Sequence, residues 1–121
     1  MKEIKAIVVD DEKFGREQIK SLLKRYFQQV DLVAEAADAV EALRQIYFHK
    51  PDLVFLDIEM PDKGGFEMLE NIQEHDFEII FVTAYDQYAL KAIKFSALDY
   101  LLKPVNKEEF KSAINKFLDK R

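Results

Sequence analysis

At 121 residues, 49% of them hydrophobic and 34% charged, the chain is sized for one domain with a substantial core. Its net charge of −5 argues against a binder of nucleic-acid backbone, which needs basic patches. The lack of cysteine excludes disulfides, thiol catalysis and thiolate metal sites, and no run approaches the roughly 20 apolar residues of a membrane span.

In chain order, Ile4–Val9 reads as a first strand. It is too short, and ends too soon in Asp10-Asp11-Glu12, to be a secretory leader, so a cytoplasmic address is expected. Ile19, Leu22, Leu23 and Tyr26 then share a helical face. A weaker strand, Leu32–Ala36, precedes a helix whose apolar face is read as Val40, Leu43, Ile46 and Tyr47. The third strand, Leu53–Leu56, ends at Asp57. After Gly64-Gly65 comes a stripe of Phe66, Leu69 and Ile72. Ile79–Val82 ends at Thr83 and is followed by Tyr88, Ala89, Ala92 and Ile93. The mixed run Leu98–Leu102 ends at Lys103-Pro104, and Phe110, Ala113, Ile114, Phe117 and Leu118 repeat at helical spacing. His49 and His75 lie at helix ends in polar surroundings, as surface residues do. No linker composition or repeat divides the chain, so residues 1–121 are read as a single domain.

Strand followed by helix, five times, implies a parallel sheet covered on both faces. Strands one, three and four are unbroken apolar runs that suit the centre of a sheet. Strands two and five carry Glu35 and Asp99 and suit its edges. The doubly wound, flavodoxin-like α/β order 2-1-3-4-5 satisfies both, with its switch point between strands one and three. Ligands of open α/β sheets bind at the carboxyl ends of the strands, and Asp10, Asp11, Asp57, Thr83 and Lys103 all stand there.

Helix capping accounts for one aspartate of the first loop, but three acids exceed what a cap requires. Two carboxylates about 4 Å apart at an effective dielectric near 20 repel by roughly 4 kcal/mol, so the cluster calls for a counter-cation or a raised pKa. Oxygen-only ligands with open positions suit Mg²⁺ or Mn²⁺. An anionic first loop also speaks against a flavin phosphate at this edge. A carboxylate such as Asp57 can act as a nucleophile toward phosphorus. The Lys103 ammonium could neutralise charge during phosphoryl transfer, and the Thr83 hydroxyl could donate to a phosphoryl oxygen.

These residues resemble the CheY-like receiver domain of two-component response regulators. The matching elements are Asp10-Asp11-Glu12, Asp57 with Met60-Pro61, Gly65, Thr83-Ala84 and Lys103-Pro104. The stretches from Phe81 to Ala92 and from Ala97 to Pro104 are more particularly similar to receivers of LytTR-type regulators. The resemblance implies that Asp57 accepts a phosphoryl group from the phosphohistidine of a sensor histidine kinase. It implies Mg²⁺ ligation by Asp11, Asp57 and the Glu59 backbone carbonyl, with Asp10 acting through a metal-bound water. Thr83 and Lys103 would bind the phosphoryl oxygens, Tyr100 would be an aromatic switch, and the Lys103-Pro104 bond would be cis. Gly64 departs from a small polar residue, leaving the loop after Asp57 freer to move. Tyr85 and Glu59 occupy positions that tune loss of the phosphoryl group.

The implied function is a phosphorylation-dependent switch rather than an enzyme with a free substrate. An altered surface on the fourth helix, fifth strand and fifth helix, with Tyr88, Lys91, Phe95, Ala97, Asp99 and Lys107 as candidates, would control a LytTR DNA-binding output and transcription. Phosphorylation-dependent homodimerisation is a further implication; direct contact of this domain with nucleic acid or membrane is not. The alternatives are a stand-alone receiver, a non-phosphorylated interaction module, and a phosphatase of the haloacid-dehalogenase type. The last would want an aspartate where Glu59 stands, and a cap domain. No effector domain is expected within these residues.

Overall fold

The computed structural model describes residues 4–72 and 74–121. Among them, β1 (Ile4–Val9), β2 (Val30–Ala36), β3 (Leu53–Leu56), β4 (Glu78–Thr83) and β5 (Asp99–Leu102) form one sheet. All its pairings are parallel, in the order β2-β1-β3-β4-β5. The helices are α1 (Lys13–Tyr26), α2 (Ala39–His49), α3 (Gly65–Glu70), α4 (Ala89–Lys94) and α5 (Lys107–Lys120). The expected doubly wound fold is therefore the observed one, and β1, β3 and β4 are its centre. No helix among the described residues is long and apolar enough to cross a membrane.

Side-chain alternation along the central strands divides the interior in two. Ala6, Val8, Leu53, Phe55, Ile80 and Val82 face α1 and α5. Ile7, Val9, Val54, Leu56, Ile79 and Phe81 face α2, α3 and α4. The α5 stripe packs as its spacing requires: Phe110, fully buried, stacks on Phe55 with ring centroids 5.8 Å apart. Its first turn is capped by Asn106, whose side-chain oxygen accepts from the N–H groups of Glu108 at 2.8 Å and Glu109 at 3.1 Å. Asp38 caps α2 in the same way, through Glu41 at 2.8 Å. Such caps contribute about 1 kcal/mol each.

Two helical faces differ from the periodicity reading. On α2 the buried residues are Ala39 and Ala42, with Leu43 and Ile46 partly buried beside them, while Val40 and Tyr47 point to solvent at 65% and 83% exposure. The two alanines let the helix backbone approach the sheet, and that rotates the larger side chains outward. On α4 only Ala92 is buried; Ala89 is exposed, as are Leu90 and Ile93. With a single helical turn and a half, α4 docks instead through Tyr88 and Phe95 at its ends, and Phe95 stacks on Phe66 at 5.1 Å. Phe95 and Ala97, read as switch-surface residues, belong in part to the core.

The rotated face of α2 has a stability consequence. Ala42→Leu should cost about 1–3 kcal/mol by overpacking, whereas Tyr47→Ser should change stability by less than about 0.5 kcal/mol. Urea denaturation of the two variants checks both; the reverse order would restore the Val40–Tyr47 face.

Candidate functional site

Sheet register brings the predicted residues together. Val9 lies opposite Leu56, Leu56 opposite Phe81, and Thr83 opposite Leu102. The ladder continues one residue past the strands: the Asp57 N–H donates to the Val9 carbonyl at 2.9 Å, and the Lys103 N–H to the Thr83 carbonyl at 2.8 Å. The Asp10 N–H donates to the Ala36 carbonyl at 3.0 Å. Backbone hydrogen bonds thus hold three of the site residues where they leave the sheet. The Lys103-Pro104 peptide is cis.

The acids close into a cluster. Asp10, Asp11 and Asp57 each offer a carboxylate oxygen within 4.8 Å of the others. Asp10 and Asp57 are buried, at 3% and 5% exposure, and Asp11 is open to solvent. The Lys103 Nζ lies 2.8 Å from Asp10 Oδ2, 3.0 Å from Asp57 Oδ2 and 3.1 Å from Glu12 Oε1. Around it opens a cleft lined by Asp11, Glu12, Asp57, Glu59, Met60, Pro61, Ala84, Tyr85 and Lys103. Thr83 stands at the same edge but is fully buried, and its hydroxyl accepts from the Tyr85 N–H at 3.4 Å.

Neither aspartate of the first loop caps α1. The N-cap residue is Glu12, without a side-chain cap bond, and Asp10 Oδ1 instead accepts from the Glu12 N–H at 2.9 Å. That local turn aims the other Asp10 oxygen at Lys103. Asp57 Oδ1 accepts from the Ile58 N–H at 2.7 Å, which leaves Oδ2 facing the same ammonium.

Four carboxylates, Asp10, Asp11, Glu12 and Asp57, gather near one ammonium, and two of them, Asp10 and Asp57, are buried. Burial accordingly raises the Asp10 pKa above the ordinary carboxylate value, the nearby Lys103 only partly opposing it. Burial alone would lower the Lys103 pKa, but its bonds to Asp10 and Asp57 outweigh that and hold it firmly protonated. The donor set is all oxygen, with acids in excess of the one ammonium, and open on one side. It fits a hard divalent cation that keeps some of its waters, with Asp10, Asp11 and Asp57 as the available holders.

Two residues that complete the site were not singled out from the sequence. A Cβ on Gly15 would lie 2.2 Å from Asp10 Oδ2 and 3.3 Å from Lys103 Nζ, so this glycine lets α1 pass close beneath the carboxylate. A lone glycine inside a helical pattern is the available signal. Arg16 donates from Nη1 to the Asp10 carbonyl at 2.7 Å and from Nε to Glu35 at 3.3 Å. At Gly65, where the chain was expected to open a helix, a Cβ would meet the Asp57 carbonyl at 2.4 Å. The Gly64 N–H is held by Glu67 Oε1 at 3.2 Å. Tyr100 is half-buried and its hydroxyl donates to the Tyr85 carbonyl; burial raises its pKa.

Residues 6–115 match the family described as the response regulator receiver domain. An uncharacterized response regulatory protein of Vibrio cholerae serotype O1 is 43% identical over 116 residues, covering 95% of this chain and 48% of that protein. The sensory transduction protein LytT of Bacillus anthracis is 41% identical over 116 residues, covering 94% of this chain and 47% of LytT. The chain spans about half the length of these curated relatives. In crystal form, the response regulatory domain of protein mrkE from Klebsiella pneumoniae is similar with a TM-score of 0.87 at 29% identity, covering 96% of each chain.

A stability test follows from the excess charge. Because the folded-state pKa of Asp10 is raised, its contribution favours folding when protonated and is lost as pH rises through that pKa. Asp10→Asn keeps an acceptor for the Glu12 N–H and removes a buried charge. It should raise the thermal midpoint at neutral pH. The advantage should shrink as pH falls and the wild-type carboxyl takes up its proton; calorimetry from neutral to acidic pH reads both.

Proposed function

The chain belongs to the response regulator receiver domain family of two-component systems, and we propose that its Asp57 is the acceptor of a phosphoryl group from a sensor histidine kinase. The observation that carries this reading is the position of Asp57: buried at the base of an acidic cleft, with Oδ2 3.0 Å from the Lys103 ammonium. Two further carboxylates lie within 4.8 Å. Phosphoryl transfer rests on positioning and charge neutralisation, and this cleft offers both.

In the proposed step, Asp57 Oδ2 attacks the incoming phosphorus in line with the departing histidine nitrogen. Lys103, already beside that oxygen, follows it and pairs with the new phosphoryl oxygens. Asp10, Asp11, Asp57 and the Glu59 backbone carbonyl would hold Mg²⁺ or Mn²⁺, directly or through water. Bound there, the ion supplies neutralisation of the charge carried by the transferring group. Gly15 and Gly65 keep helix backbone close enough for the carboxylates to stay clustered.

Transfer adds about 1.5 to 2 negative charges to the site. Thr83 is then drawn to turn its hydroxyl from the Tyr85 N–H toward a phosphoryl oxygen, and the segment after β4 shifts with it. Because Tyr100 donates to the Tyr85 carbonyl, the shift reaches β5 and the adjoining surface of α4 and α5. Leu90 and Ile93, 80% and 70% exposed, lie on that surface beside the exposed Lys91 and Lys107. A second copy or an output segment would engage it, the latter DNA-binding of the LytTR type by analogy with the LytT relatives. Residues 1–121 act in this reading as one phosphoacceptor domain, whose only catalysis is its own transfer and dephosphorylation.

Intact-mass spectrometry after incubation with acetyl phosphate and Mg²⁺ tests the acceptor. Wild type should gain one phosphoryl group, Asp57→Asn none, and a chelator should abolish the gain. No adduct on wild type with either acetyl phosphate or a phosphorylated kinase would favour a non-phosphorylated interaction module. Tyr100→Ala should still form the adduct while weakening phosphorylation-dependent self-association roughly tenfold, as read by sedimentation. A variant that no longer takes up phosphate would overturn the assigned division of labour.

A further inference from the structure

Resting on the receiver reading, we propose that Tyr88 is a positioning residue that sets the lifetime of the phosphoryl group by holding the Glu59 carboxylate away from the reacting water. The Tyr88 hydroxyl donates to Glu59 Oε2 at 2.8 Å across 29 positions of sequence. This ties the start of α4 to the loop that follows Asp57. Glu59 lines both the acidic cleft and a neighbouring groove under α4, whereas Tyr88 lines only the groove. Their bond therefore draws the carboxylate to the groove side.

Tyr88 is well placed to hold that position. Its ring packs edge-on against Phe66 at 6.1 Å and against Tyr85 at 6.2 Å, so the hydroxyl is presented by a fixed ring rather than a free rotor. Its phenol, protonated at neutral pH, donates to the Glu59 carboxylate. Glu59 has no other hydrogen-bonding partner among the described side chains. Once released, it is an exposed carboxylate two residues from Asp57, free to swing over the cleft.

Loss of the phosphoryl group is a hydrolysis. Water oxygen bonds to phosphorus, the bond from phosphorus to the Asp57 oxygen breaks, and its electron pair returns Asp57 to a carboxylate. One water hydrogen stays on the released phosphate and the other leaves as a proton. A carboxylate within reach of that water accepts the proton and speeds the step. Held by Tyr88, Glu59 is turned from this task, and the phosphorylated state persists longer.

The test is the decay of the phosphorylated protein after acetyl phosphate is removed and Mg²⁺ retained, followed by intact mass. Tyr88→Phe keeps the ring and deletes only the hydroxyl that restrains Glu59, so decay should quicken by roughly three- to tenfold. The initial rate of adduct formation should stay unchanged, which a general loosening of the site would not allow. In a Glu59→Gln background the same Tyr88→Phe change should have no effect on decay. Equal or slower decay in Tyr88→Phe, or an acceleration that persists without the Glu59 carboxylate, overturns the inference. Failure of wild type to form any adduct overturns instead the reading on which it rests.

Discussion

The hydrogen-bond register of the three central strands is the constraint on which the site depends. Parallel pairing places Val9, Leu56 and Phe81 side by side, and one further backbone bond beyond β1, β3 and β5 sets the residue that follows. Asp57 is held to Val9 and Lys103 to Thr83 by main chain alone. A slip of one residue would turn Asp57 toward the opposite face of the sheet. The apolar alternation that separates the two cores forbids such a slip, so hydrophobic burial is what keeps the carboxylates adjacent.

Adjacency has an electrostatic cost that the fold leaves unresolved. Lys103 meets Asp10, Asp57 and Glu12 at once, yet one ammonium cannot balance the acids around it. Burial raises the pKa of Asp10, and the charge of Asp57 adds to it only slightly. Such a donor set, all oxygen and short of positive charge, fits a hard divalent cation. Lys103 is anchored through its backbone to Thr83, whose neighbour Tyr85 receives the Tyr100 hydroxyl. Hydrogen bonds thus link two strand ends and the loop after β4.

Around the cleft the helices meet different demands. Long, well-capped α5 closes one face with Phe110 against Phe55. Short α4 carries only Ala92 into the core and leaves Leu90 and Ile93 in solvent, held otherwise by the aromatic contacts of Tyr88 and Phe95 with Phe66. An element with so little buried surface is the one that moves at least cost.

Strand placement and order were legible because apolar runs of β-branched residues and phenylalanine stop abruptly at polar ones. The same stops named Asp10, Asp11, Asp57, Thr83 and Lys103, since a residue that follows a central strand must emerge at the sheet edge. Helix orientation was less legible: Val40 and Tyr47 fit an amphipathic period as well as Ala39 and Ala42 do, and only the space left above the sheet chose the alanines. The cap reading of the first loop failed for a similar reason, as Asp10 serves Lys103 and the Glu12 N–H together. What the sequence by itself determined was the fold, the family and the edge where the chemistry lies, all set by local pattern. Tertiary structure alone decided that Gly15 clears room for Asp10, that one lysine is shared by three acids, and that Tyr88 reaches Glu59. Those contacts join segments far apart in the chain, and their geometry exists only once the sheet has brought them within a few ångströms.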